Sequence, residues 1–118
     1  MKRLILLPAI AALAIAILVP TAVSATSAQT VRVTEVSYKI KLSAAPKAGK
    51  VKFVVKNASG DDHDFWISGG GKTFRTRVLG EGRSASVTAT LKKGVKYRYW
   101  CAVDDHAVEG MAGSFIAR

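Results

Sequence analysis

A single cysteine, Cys101, stands in the 118 residues, so the chain can close no disulfide within itself. Only two histidines, His63 and His106, are present, too few for a second histidine-built metal centre. Internal repeats and low-complexity tracts are missing, and no stretch beyond residue 28 shows a helical period, which excludes solenoids and helix bundles. Acidic side chains are scarce, 8 against 18 Lys and Arg, for a net charge of +10. The basic residues alternate along the chain instead of running together among aromatics, which argues against a nucleic-acid surface. Six of the eight acids fall in two short segments, Asp61, Asp62 and Asp64 around His63, and Asp104, Asp105 and Glu109 around His106. Such a partition points beyond solubility.

The one long apolar run is at the start. Met1-Lys2-Arg3 is basic, Leu4 to Val19 is apolar apart from Pro8, and Pro20 to Ala28 is small and weakly polar. That is the layout of a secretory signal peptide, with small residues offered for cleavage after Ala25 or after Ala28. An uncleaved anchor is the rival, because Leu4 to Val23 approaches the roughly 20 residues that span a bilayer. No cysteine lies near residues 20 to 30, so attachment of a lipid there is excluded. We expect residues 1–28 to be a signal peptide and residues 29–118 one domain, exported to the periplasm or the cell exterior. After cleavage it would be monomeric and free of the membrane. A lone thiol in an oxidising compartment then needs a role: buried filler, partner for another chain, or a thiolate held by a metal.

Period-two alternation dominates the rest. Val36, Tyr38, Ile40 and Leu42 suggest a strand within residues 31–42; Val51, Phe53 and Val55 a second; Ala85, Val87, Ala89 and Leu91, then Val95, Tyr97, Tyr99 and Cys101, two more. Turns are marked by Ala45-Pro46-Lys47-Ala48-Gly49, Ser68-Gly69-Gly70-Gly71 and Lys92-Lys93-Gly94. Phe65-Trp66-Ile67 is a short apolar run, residues 73–79 are ambiguous, and Ser114 to Ala117 is the expected last strand. About seven strands at this spacing predict an all-β fold, a small antiparallel Greek-key sandwich or barrel.

Beyond the initiator and signal peptide, one Cys, one Met and two His make up the whole stock of soft and imidazole ligands. Cys101, His106 and Met111 fall within eleven residues, on a loop between the last two strands, while His63 ends a loop between earlier strands. Thiolate and thioether favour cuprous copper and imidazole serves both oxidation states, so this set matches the His₂Cys-plus-Met pattern of blue-copper centres. Each residue taken singly has an ordinary reading: Cys101 a core thiol in step with Tyr97 and Tyr99, Met111 a filler, the histidines solvated in loops. Zinc with the same ligands is the weaker alternative, because Met is a poor zinc ligand.

The segment Tyr97-Arg-Tyr-Trp-Cys101-Ala-Val-Asp-Asp-His106-Ala-Val-Glu-Gly-Met111-Ala-Gly113-Ser-Phe115 resembles the C-terminal copper loop of the cupredoxins, the type 1 blue-copper proteins. Four residues separate Cys from His and four separate His from Met, a spacing more similar to the rusticyanin and sulfocyanin branch than to plastocyanin. The Asn57 to Ile67 segment resembles the family's first-histidine region. The resemblance implies a Greek-key β-sandwich in which His63, Cys101 and His106 are equatorial ligands of one copper ion and Met111 the axial one. Two departures stand out: Asp104-Asp105 where the family commonly has Pro-Gly, and Asp64 where it commonly has an Asn that ties the two ligand loops. An ionised Asp64 can accept hydrogen bonds from backbone N–H groups but cannot donate.

The expected function is one-electron transfer between redox partner proteins outside the cytoplasm, with Trp66, Trp100 and Phe115 as candidates for the apolar surround of the metal. The edge of His106, ringed by Asp104, Asp105 and Glu109, is the expected exit, toward a basic partner. Copper delivery or storage with the same ligands is the alternative. An enzyme is not expected: multicopper oxidases carry His on both sides of the cysteine, whereas Cys101 lies between Trp100 and Ala102, and a binuclear copper–sulfur centre needs a second Cys.

Overall fold

The structure is a computed structural model that describes residues 1–21 and 28–118. The cleavage point after Ala25 lies outside the described residues. Residues 1–21 form no helix or strand, and among the described residues no helix is long and apolar enough to cross a membrane.

Eight strands build the domain: β1 (Gln29–Val36), β2 (Lys39–Leu42), β3 (Gly49–Asn57), β4 (Trp66–Gly69), β5 (Lys72–Arg75), β6 (Ser84–Leu91), β7 (Lys96–Trp100) and β8 (Ala112–Ile116). They form two four-stranded sheets, ordered β2-β1-β3-β6 and β5-β4-β7-β8. All pairings are antiparallel except β1 with β3, where Val31, Val33 and Glu35 run beside Phe53, Val55 and Asn57 in the same direction.

The core is the inward parity of each strand. Val31 and Val33 of β1, Val51, Phe53 and Val55 of β3, and Ala89 and Leu91 of β6 meet Ile67 of β4 and Tyr97 of β7, with Phe65 and Leu79 from the loops. Each large aliphatic or aromatic side chain removed from water there contributes about 1.5–3 kcal/mol. Two inward glycines exist because tyrosine rings lie on them: a Cβ at Gly69 would meet the Tyr97 ring, and one at Gly113 would fall on the Tyr99 phenol.

The single strand expected within residues 31–42 is in fact a hairpin. Tyr38 turns the chain at φ 56°, Val36 pairs with Lys39, and the buried parity changes from 31, 33 and 35 to 40 and 42 across the turn. Tyr38 itself, at 39 % exposure, is outside the core, because a two-residue turn puts its side chain beyond the sheet. In the ambiguous stretch, β5 occupies Lys72–Arg75, and Leu79 makes an isolated bridge to His63. The last strand begins at Ala112 rather than Ser114.

Candidate metal centre

Cys101 follows the last residue of β7 and continues its inward parity, which carries the thiol into the interior at one end of the sandwich. The loop it opens is closed on itself by backbone bonds: His106 N–H to Val103 O (3.1 Å), Met111 N–H to His106 O (3.0 Å) and Cys101 N–H to Met111 O (3.0 Å). Asp104 at φ 44° and Gly110 at φ 122° make the reversals. Met111 is fully buried at the end of this loop.

His63 comes from the crossing between the sheets, β3 to β4. A pair of backbone bonds with Leu79 holds it, N–H to O at 3.0 Å and O from N–H at 2.6 Å. Asn57 shapes that crossing. Its amide donates to Asp61 O (2.6 Å) and Leu79 O (2.8 Å), and its carbonyl accepts from Ser59 N–H (2.9 Å) and the Ser59 hydroxyl (3.0 Å).

These two loops bring three donor atoms together. His63 Nδ1 lies 3.1 Å from His106 Nδ1, and Cys101 Sγ lies 3.8 and 3.7 Å from those nitrogens. The point equidistant from three atoms so spaced is about 2.1 Å from each, the length of a metal–imidazole bond and slightly under that of a metal–thiolate bond. All three side chains are buried, His63 and Cys101 fully and His106 to 8 % exposure. A metal ion therefore fits where the two imidazoles and the thiol already point. Burial first, then the His106 ring, lowers the pKa of His63 and favours a neutral imidazole donor, whereas burial pushes the Cys101 thiol up to about 11, so a metal bound there has to displace the thiol proton.

Asp64 spans the two loops. Its Oδ1 accepts the Ala102 N–H at 2.7 Å and its Oδ2 the Trp66 indole N–H at 2.8 Å. The acid thus makes the tie between ligand loops by accepting alone. Trp66 and Trp100 do not surround the donors from the core. They lie on the outer face of the second sheet, because inward Tyr97, Tyr99 and Cys101 force Trp100 outward, and Trp66 pairs with it across the ladder. Phe115 is part of the core margin, stacked on Tyr97 at 5.6 Å.

Three contributors were not singled out in the sequence. Asn57 and Glu35 continue the inward parity of β3 and β1, each a polar residue ending an apolar series, which is the signal that marks them. Glu35 is fully buried, neither carboxylate oxygen has a hydrogen-bond partner among the described residues, and burial pushes its pKa up to about 8. Tyr38 packs edge-on against His106 at 5.4 Å between ring centroids. The edge of His106 reaches a cleft lined by Gly60, Asp61, Asp62, Val103 and Asp104, and Glu109 and Asp61 hold the Tyr38 phenol above its ordinary pKa.

No family model and no curated protein sequence matches the chain. Solved structures do. A dithionite-reduced auracyanin from Roseiflexus castenholzii aligns with a TM-score of 0.65 at 17% identity over 79% of this chain and 99% of its own. Auracyanin B aligns at 0.66 and 22% identity over 81% and 93%, and auracyanin A, a blue copper protein from Chloroflexus aurantiacus, at 0.66 and 17% over 78% and 100%. At such identities the likeness is one of architecture: the two sheets described above have the same fold as these auracyanin structures.

Proposed function

We propose that this domain binds one copper ion, which His63, Cys101 and His106 would hold with Met111 as a fourth donor, and carries single electrons between redox proteins outside the cytoplasm. The observation that supports this most is the buried triangle of two Nδ1 atoms and one Sγ, whose centre suits a metal ion. A soft thiolate with two imidazoles is a donor set that suits copper, and auracyanin A, a blue copper protein, has this fold. When bound, copper supplies a one-electron couple.

The chain's own contribution is to hold its donors still. His63 is fixed by Leu79 and Asn57, Cys101 by the end of β7 and the Met111 carbonyl, and Asp64 locks one loop to the other. Burial excludes water from the donors, and Tyr38 covers one side of His106. Such fixation limits rearrangement when the oxidation state changes. It favours a carrier over copper delivery, which needs a donor able to swing out. Trp100 and Ala102 beside Cys101 offer no further ligands of the kind a multicopper oxidase uses, so an enzyme is not proposed. The acidic rim of the cleft would steer a basic partner to His106. Export as a monomer released by signal cleavage after Ala25 or Ala28 completes the proposal.

The deciding experiment is the visible and electron paramagnetic resonance spectrum after one equivalent of cupric ion, with Cys101→Ser beside it. An intense thiolate-to-copper band, reversed by mild reductant and lost in the variant, is expected. A pale tetragonal spectrum unaffected by loss of Cys101 would overturn the carrier reading.

A further inference from the structure

The outer face of the second sheet carries a four-membered stack that the metal centre does not use directly. Trp66 and Trp100 pair across β4 and β7 with ring centroids 5.8 Å apart and planes 26° from parallel. The Arg75 guanidinium lies 4.9 Å over Trp66, and that of Arg98 lies 5.3 Å over Trp100. A guanidinium over an indole face is attracted by the ring quadrupole, so the stack biases both arginines toward this face of the sheet. The strand residues sharing this face include Lys96, Ser68, Thr73 and Ser114 but no acid. The rim around His106, by contrast, is formed by Asp61, Asp62 and Asp104.

This basic face is connected to the donor cluster twice. Trp100 is the chain neighbour of Cys101, so its indole is joined to the thiol through one peptide unit. Trp66 donates to Asp64, whose other oxygen accepts the Ala102 N–H on the far side of Cys101. A carrier has two partners, one that gives the electron and one that takes it. Two ports of opposite charge would let it receive both kinds without either competing for one surface.

We propose that the Arg75–Trp66–Trp100–Arg98 stack is a second electron port, on which an acidic redox protein docks and exchanges an electron with the metal centre through Trp100 and Cys101. The assignment rests on the carrier reading above. One electron leaves the reduced site and reduces the oxidised partner, with no bond broken and no proton moved. The guanidiniums present N–H donors to partner carboxylates, and the large flat indoles between them provide apolar contact at low entropic cost.

The test uses anionic probes. In the metal-free protein, titration with redox-inert hexacyanocobaltate(III) should shift the Trp66 and Trp100 indole N–H resonances saturably at low ionic strength. In the copper-loaded, reduced protein, oxidation by hexacyanoferrate(III) should slow by ~3- to 10-fold in Arg75→Gln/Arg98→Gln and by less than about twofold in Lys52→Gln/Lys56→Gln, which removes the same charge from the opposite sheet. Oxidation by the cationic tris(phenanthroline)cobalt(III) should change little in either variant. Equal slowing in both pairs, or indole resonances that do not move, would overturn the port. Absence of a thiolate-to-copper band in the unmodified protein would be seen before any variant is compared, and would overturn the carrier reading together with the port.

Discussion

Asp64 Oδ1 accepts the backbone N–H of Ala102 at 2.7 Å, and so joins the residue after His63 to the residue after Cys101. The bond crosses from the loop between the sheets to the end of β7. Among the described residues it is the one side-chain hydrogen bond that links these two loops besides the contacts of the donors themselves.

Asp64→Ala removes this tie and the acceptor for the Trp66 indole together. Hydrogen bonds to a charged acceptor contribute about 1.5–3 kcal/mol each, less what water restores at a site only 6 % exposed, so a loss of about 2–4 kcal/mol in unfolding free energy is expected. Asp64→Asn keeps one acceptor oxygen and should lose roughly half as much, because its NH₂ cannot accept from the second donor. Urea unfolding of the three proteins checks the order. Equal stabilities would mean that the two loops are held by their backbone bonds alone.

Glu35 gives the domain a stability that depends on pH. An acid whose folded pKa, about 8, lies above its unfolded value of 4.5 keeps its proton longer in the folded state. Burial is the main cause and Asp64 adds to it. Below pH 4.5 both states hold the proton and nothing is lost. From there to about 8 unfolding releases it, so stability declines as pH rises, and above 8 the decline is complete. Glu35→Gln should therefore leave stability almost unchanged near pH 4 and raise it by about 2–3 kcal/mol at pH 9, after discounting for relaxation and screening. Denaturation curves at several pH values test this; a gain independent of pH would assign the effect to packing.

Alternation alone made most of the sandwich legible, since Val51-Phe53-Val55 and Tyr97-Tyr99-Cys101 face inward as their spacing requires. The hairpin at Tyr38 was hidden because its apolar residues continue the period of two through a turn whose signal is a positive φ at tyrosine, not a glycine. The parallel β1–β3 pair is a long-range choice that local pattern does not encode. At the site, ligand chemistry picked out the three residues that converge, whereas Asn57 and Glu35 act through burial and register, which appear only once strands are paired. The outward position of Trp66 and Trp100 follows from parity, which places Trp100 opposite Tyr99 and Cys101, and not from hydrophobic bulk.

Gly113 has no room for a side chain. A Cβ there would fall on the Tyr99 phenol, within a ladder where Gly113 is the Cα partner of Tyr99. Gly113→Ala must push that ring off its position, at a typical cost of about 1–3 kcal/mol for an overpacked core. Because Tyr99 stands two residues before Cys101 on the same face, the visible band of the loaded protein should shift as well. Tyr99→Leu in the Gly113→Ala background should recover part of the stability, and a double variant no better than the single one would place the strain elsewhere.

Metal uptake should release a proton, and the number released identifies the donor. Burial raises the Cys101 thiol to about 11, so at neutral pH the metal-free protein holds that proton, while desolvation and the neighbouring His106 lower the pKa of His63 and leave it little to give up. A bound metal requires the thiolate. Near pH 7 one equivalent of cuprous or cupric ion should therefore displace close to one proton from Cys101, and affinity should rise ~tenfold per pH unit until the thiol's own range is reached. Calorimetry in buffers of different ionisation enthalpy counts that proton. Cys101→Ser should release none and bind far more weakly, and its unfolding midpoint should no longer rise with added metal, whereas the parent at a thousandfold excess over its dissociation constant should gain about 4 kcal/mol. Proton release that persists in the serine variant would move the site away from Cys101, to the histidines and the acidic rim.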